Sequence, residues 1–461
     1  MNNSVELKSN LILHENPIWK GIIALALPVF LANILKTLHD IVDGIFLGQI
    51  ADEAVATSMQ SAVALTWPIF FIFISFGMGL SVAGNALVGQ FMGNKDYDNA
   101  KRYATNTIYV SIVLGVIFTI LAYTLAPTIL GLMGAKGSDL EYAILYMRIR
   151  SFELPILFLS FAFQAIRRST GDTLTPVLIS SFAIIINILL TPLLILVFNM
   201  GIRGAAFSTL IAHIVMLPLL LYYLIHSKNG INVSFKMSYI NIPIIRDIFK
   251  IGLPASSGQS IQAIGFVILN SLIYSFGTST TAAFYIGNRI NSLVMFPVSS
   301  ISAIVAVYVA QNIGAGNIKR AKESVKQGLL MGVTIMIIGV SILLPFRHAF
   351  VSLFTHDERT AALAVEYMIY IGLSLPLMAI FQTFLSTFQG SGDTKYSFIL
   401  AIVRLWVFRL PFVLLTMKLT NFGPAGIWYS MIASNFLAVF VAVYLFSKVK
   451  FTPKIRLMRT G

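Results

Sequence analysis

VLISSFAIIINILLTPLLILVF, residues 177–198, runs for twenty-two positions without a charged side chain. An α-helix rises 1.5 Å per residue, so about 20 such residues cross the roughly 30 Å hydrocarbon core of a bilayer. Only Ser180, Ser181, Asn187 and Thr191 are polar, and each can bond within a helix or to a neighbouring helix. The stretch reads as a membrane-spanning helix. The rest of the chain follows it. Of its 461 residues, 57% are hydrophobic and 11% charged, with a mean hydropathy of +0.84. Soluble domains are about a quarter charged, so this composition cannot supply the polar shell that a water-soluble protein of this length needs.

Apolar runs between polar breaks predict twelve spans, near 21–47, 55–84, 104–126, 144–166, 175–198, 204–226, 251–276, 281–308, 327–346, 364–388, 396–417 and 425–447. The expected class is an all-α polytopic membrane protein. The breaks alternate in charge. One set, with the N-terminal segment and the tail KVKFTPKIRLMR, holds 21 of the 32 Lys and Arg residues. The positive-inside rule places that set, and both termini, in the cytoplasm. An even number of spans requires the same.

The formal charge of +14 is therefore a topology signal. No basic helix, stacking platform or zinc-finger spacing accompanies it, so nucleic acid is not an expected partner. The absence of Cys excludes disulfides and thiolate chemistry. The histidines, at 14, 39, 213, 226, 348 and 356, show no metal spacing, and neither GxSxG nor a Walker sequence occurs. Neither an enzyme nor an ATP-driven pump is expected, and no cofactor. The polar, mixed-charge start is unlike a cleaved signal peptide.

The chain repeats itself. GQFMGNKDYDNAKRYA (89–104) resembles AQNIGAGNIKRAKESV (310–325), with Gln90, Gly93, Ala100 and Lys101 matching Gln311, Gly314, Ala321 and Lys322 at an offset of 221. STGDT (169–173) matches GSGDT (390–394) at the same offset, as does Pro155 with Pro376, while Pro28 finds Pro254 at 226. A duplicated six-helix unit follows: an N-terminal bundle over 1–226, a cytoplasmic linker over 227–250, and a C-terminal bundle with its tail over 251–461. Secondary transporters are commonly built from such repeats, with substrate sites at the repeat interface.

These residues resemble a known family. LALPVFLANIL around Pro28, VDGIFLG (42–48), GQFMGNKDYDNAKR, RRSTGDTLTP (167–176) and NILLTPLLI (187–195), with IGLP (251–254), VAQNIGAGNIKRAK (309–322), FQGSGDT (388–394) and GPAGIW (423–428), are similar to the multidrug and toxic compound extrusion (MATE) exporters, closer to their DinF-like, prokaryotic proton-coupled branch. The resemblance runs across nearly the whole chain. It implies two pseudo-symmetric six-helix bundles forming a V-shaped cavity. It also implies a monomeric, multi-pass antiporter in a prokaryotic cytoplasmic membrane that exports organic cations or amphipathic compounds, embedded in lipid. Its other implied readings are a sodium-coupled exporter or a lipid-linked precursor flippase.

The charges inside the spans are the candidate site. In KTLHDIVDGIFLG (36–48), Asp40 and Asp43 lie three apart on one helix, with Lys36 a turn earlier. Either Lys36 and Asp40 form a structural pair, or the acids face a wet cavity, where two carboxylates share a proton. By resemblance Asp43 is the ion-coupling aspartate, and Asp40 stands where the family often has asparagine. Asn187 and Thr191 fall in NILLTP. The family's usual carboxylate there is Thr191 here, which leaves coupling mostly to the first span. Asp43, Asn187 and Thr191 together offer oxygen ligands for sodium; Asn187 and Thr191 read equally well as helix–helix contacts. Glu153 either pairs with Arg150 at the interface or turns inward as a further acid. Gln262 stands about where the sodium-coupled branch has a glutamate, and the lack of deep acids in the second half favours protons. Arg289 either holds a counter-ion or snorkels outward. Pro28 is the expected bend coupling helix shape to charge.

The topology has a direct test, because the chain has no native Cys. Asn99→Cys and Gly316→Cys should react with a membrane-impermeant maleimide only after the membrane is opened. Labelling from outside intact cells would overturn the orientation.

Overall fold

The computed structural model describes residues 9–15, 17–48, 53–226 and 230–455, which form helices and no strand. In the first half these are α1 (Ile18–Gly48), α2 (Glu53–Gly93), α3 (Tyr97–Leu132), α4 (Gly137–Ser151), α5 (Leu154–Ser169), α6 (Leu174–Pro192) with a π-helical turn at Leu193–Val197, and α7 (Gly201–Ile225). The second half has α8 (Ile242–Tyr274), α9 (Thr278–Gly314), α10 (Ile318–Leu343), the short α11 (Arg347–Ser352), and α12 (Glu358–Gly390). It continues with α13 (Thr394–Ile402), a π-helical stretch at Val403–Arg409, α14 (Leu410–Leu419) and α15 (Ala425–Lys448). Among the described residues ten helices are long and apolar enough to cross a membrane, and the bent pair α4–α5, taken as one span, makes eleven. The remaining expected span, the seventh (251–276), lies in α8, which is diluted by Ser256, Ser257, Gln259, Ser260 and Gln262. The segment DIFK (247–250), readable as a separate interfacial helix, is instead continuous with α8.

Two compact units divide the described chain. One takes Leu31–Ser256 with the segment up to Leu11; the other takes Ile12–Phe30 and Ser257 onward. Each is built on the same pairings. In the first unit α2 packs on α3 and α5, and α6 on α7; in the second, α9 packs on α10 and α12, and α14 with its π-helical stretch on α15. The aromatic core of the second is Trp428, Tyr367 and Phe284, with Tyr367 and Trp428 ring centroids 4.6 Å apart.

The sequence offset of 221 recurs in backbone geometry. The Asp96 carboxylate caps α3 by accepting from the Asn99 N–H at 3.1 Å, and Asn317 caps α10 by accepting from the Arg320 N–H at 3.2 Å. Lys95 and Gly316, just before those caps, are both left-handed (φ 58° and 73°), as are Gly171 and Gly392 (φ 78° and 77°) in the two GDT turns. Side-chain caps satisfy N–H groups that a helix start otherwise leaves open.

The predicted fourth span is bent by 50° between α4 and α5. Pro155, the second residue of α5, has no N–H to give to the carbonyl of Ser151 four residues earlier. That oxygen instead accepts from the Thr119 hydroxyl of α3 at 2.9 Å. Gly115, one turn before Thr119, lets α3 approach the break: a Cβ there would lie 2.5 Å from the Pro155 Cα. Gly115→Ala should therefore cost about 1–3 kcal/mol through overpacking against backbone. Gly131→Ala, on the same helix with nothing within 4 Å of an added Cβ, should be neutral or slightly stabilising. Thermal unfolding in detergent of the two variants checks the contrast.

Candidate functional site

A cavity of about 740 Å³ opens within the first unit, lined from six helices. Helical spacing explains its wall. Trp67, Phe70, Phe71, Ile74 and Met78 recur on one face of α2, and Ser180, Ile184 and Asn187 on one face of α6. From α5 come Leu157, Ser160, Phe161 and Gln164, and from α7 Thr209, His213 and Met216. Most of this lining is apolar, with a few polar groups set into it, the composition expected of a small-molecule site.

Charge enters the wall at the α4–α5 break. Glu153 occupies the corner and its side chain is fully buried. Its Oε1 accepts from Arg150 Nε at 3.1 Å and from the NH2 group of the same guanidinium. Arg150 also donates to the Tyr146 hydroxyl at 2.9 Å and lies over the Phe70 ring, 4.9 Å from its centroid. Glu153 thus pairs with Arg150, and both residues line the cavity. Its second oxygen, Oε2, is buried and accepts no hydrogen bond. His213 comes from α7, its Nδ1 3.7 Å from Oε2 and 2.9 Å from the Thr209 carbonyl oxygen. A carbonyl only accepts, so this geometry puts a proton on Nδ1.

His213 had no motif to announce it. Its signal was weaker: an ionisable side chain in a span otherwise free of charge after Arg203, which in a membrane marks function by default. The pairing with Glu153, sixty residues away, is visible only in three dimensions.

The remaining candidates separate. Asp40 and Asp43 fall on α1, but their side chains lie outside the described residues. Lys36 lines the cavity. Asn187 also lines it and donates to the Thr209 hydroxyl at 3.1 Å. Thr191 is buried, its hydroxyl 3.1 Å from both Asn187 Oδ1 and Ser208 Oγ, so these residues join α6 to α7. Pro28 lies inside α1. Gln262 and Arg289 belong to the second unit: the Gln262 amide oxygen is 3.4 Å from Arg404, and Arg289 is exposed on α9.

The Arg150–Glu153 pair makes a sharp prediction for stability. Arg150→Met leaves a buried carboxylate without its cation and should cost about 3–5 kcal/mol. Adding Glu153→Met removes the orphan and should recover most of that loss. Melting temperatures of the single and double variants measure the difference.

Comparison with known proteins agrees with this architecture. The MatE family model matches residues 28–193 and again 254–415, most of the chain. A Bacillus subtilis (strain 168) protein described as probable multidrug resistance protein YoeA is 26% identical over 419 residues, covering 89% of each chain. Multidrug export protein MepA of Staphylococcus aureus (strain NCTC 8325 / PS 47) is 26% identical over 437 residues, covering 94% of each. A solved multidrug resistance MATE family transporter of the MOP superfamily, in its outward-facing conformation, superposes with a TM-score of 0.89 at 24% identity, covering 98% of both chains.

Proposed function

The chain belongs to the MatE family, whose members are transporters and not enzymes, and from that premise we propose that it exports organic cations or amphipathic compounds in exchange for protons. The observation that carries the proposal is the cavity itself: an aromatic chamber whose wall, among the described residues, holds the fully buried carboxylate of Glu153 paired with Arg150. Apolar faces hold a drug-sized body without demanding a particular hydrogen-bond pattern. Glu153 gives the described wall an acid for which a cationic cargo, or a proton, competes with Arg150. The names of the Bacillus and Staphylococcus relatives point the same way.

In this reading Asp43 carries the coupling proton, Asp40 tunes it, and Pro28 bends α1 as the charge changes. Lys36 and His213 set the field in which the acids exchange. The chain acts as a monomer in a prokaryotic cytoplasmic membrane with both termini inside. Inward movement of one proton draws on the membrane potential, worth about 2.3 kcal/mol per 100 mV. A sodium site would use the Asn187 and Thr191 oxygens, which are bonded to each other, the Thr191 hydroxyl also lying 3.1 Å from Ser208 Oγ.

Sealed proteoliposomes test the proposal. Efflux of a fluorescent organic cation should run on a proton gradient alone and not on a sodium gradient alone. Asp43→Asn should abolish it in folded protein, and Asp40→Asn should shift its pH dependence. Export driven by sodium alone, indifferent to collapse of the proton gradient, would reject proton coupling and return the ion to the Asp43–Asn187–Thr191 oxygens.

A further inference from the structure

The second unit buries two arginines in one π-helical stretch, Arg404 and Arg409, each 4% exposed. Their apolar segment begins at Thr394, so Arg404 lies ten residues in, about 15 Å at 1.5 Å per residue. In a hydrocarbon core roughly 30 Å thick, that is mid-bilayer, too deep to snorkel to either surface.

Arg409 is satisfied by neutral groups: Nε donates to Ser434 Oγ at 3.0 Å and NH2 to Asn435 Oδ1 at 2.7 Å. Arg404 is not. Its Nε is buried with no hydrogen-bond partner. Its NH1 has the Met378 sulfur at 3.1 Å, a weak acceptor, and its NH2 has only the Gln262 amide oxygen, at a long 3.4 Å. The Phe381 ring stacks beneath, 4.2 Å from ring centroid to guanidinium carbon. Among the described residues no carboxylate pairs with either arginine. Arg150 of the first unit, by contrast, has Glu153.

A guanidinium presents five N–H donors in a planar fork suited to an oxyanion. Here the fork is fixed by an aromatic face, held at membrane depth, and short of acceptors. The π-helical register is itself a feature enriched at functional sites.

We infer that Arg404 is an anion-binding residue, taking the carboxylate or phosphate group of an amphipathic molecule, with Gln262 as a second polar contact and Phe381 and Met378 as the apolar bed. Arg409 adds positive field from five residues away. The inference deepens the transport reading and rests on it for its physiological sense. It widens the cargo from cations to molecules that carry an anionic group, zwitterions included. The anion has two sources, a transported solute or the headgroup of an acidic lipid.

Binding to the purified full chain needs no ion gradient, so it stands or falls separately from proton coupling. The probes are N-dansyl-phenylalanine and its methyl ester, which share an aromatic body and differ in one negative charge. In neutral detergent the wild type should bind the acid at least ten-fold more tightly than the ester. Arg404→Gln should erase that preference while leaving ester binding unchanged, and Arg404→Lys should keep part of it. Equal binding of acid and ester by the wild type would overturn the inference whatever the variants do. So would an intact acid preference in Arg404→Gln or, if that variant does not fold, in Arg404→Lys. Repeating the titration in nanodiscs separates the sources: acidic phospholipid that competes with the acid probe in the wild type identifies a headgroup, and undiminished binding there identifies a solute.

Discussion

Hydrocarbon offers no hydrogen bonds, and the chain's other features are arranged around that constraint. Every backbone N–H and C=O within the bilayer must find a partner in the protein. Regular helix does this without help, which is why an 11% charged chain resolves into long helices and no described strand. Where proline or a π-helical register breaks the ladder, a neighbour supplies the missing bond, as Thr119 does for Ser151. The polar residues of α6 and α7 serve the same rule. Asn187, Thr191, Ser208 and Thr209 bond to one another across two helices.

Charge obeys a harsher version of that rule, and the two units meet it differently. In the first, an acid and a base are buried together on a cavity wall, with one carboxylate oxygen left without a hydrogen bond. In the second, two bases are buried without an acid and are held by hydroxyl, amide, sulfur and aromatic groups. Among the described residues the two units therefore differ in how their buried charge is met: a paired acid and base in one, bases held by neutral groups in the other. Duplication conserved the caps and turns, while the residues within the bilayer diverged.

The fold was legible because membrane helices are announced by length and hydropathy, and because the repeat keeps its turn residues. Gly93, Asp96 and the GDT motifs are local signals, and each reappears in the structure as a helix end or cap. The bend in the fourth span was less visible. Pro155 marks it, but prolines occur in many spans, and only Gly115 and Thr119 on a different helix turn this one into a corner. The site was legible in part. Glu153 and Arg150 are neighbours in sequence, so their pairing could be read; His213 and Arg404 depend on side chains brought from distant helices. Asn187 and Thr191, read from a motif, also serve as structural contacts, because a motif records position and not which hydrogen bonds are already taken.

The corner at Pro155 has a mechanical consequence. A proline kink whose orphaned carbonyl faces lipid or water is a joint, since nothing fixes its angle. Here the carbonyl is tied to Thr119, and the proline ring is pressed against Gly115, so bending or straightening would break a hydrogen bond and open a void at once. The kink behaves as a welded bracket. Glu153 is mounted on it, so the contacts that fix the corner also fix where the carboxylate sits in the cavity wall.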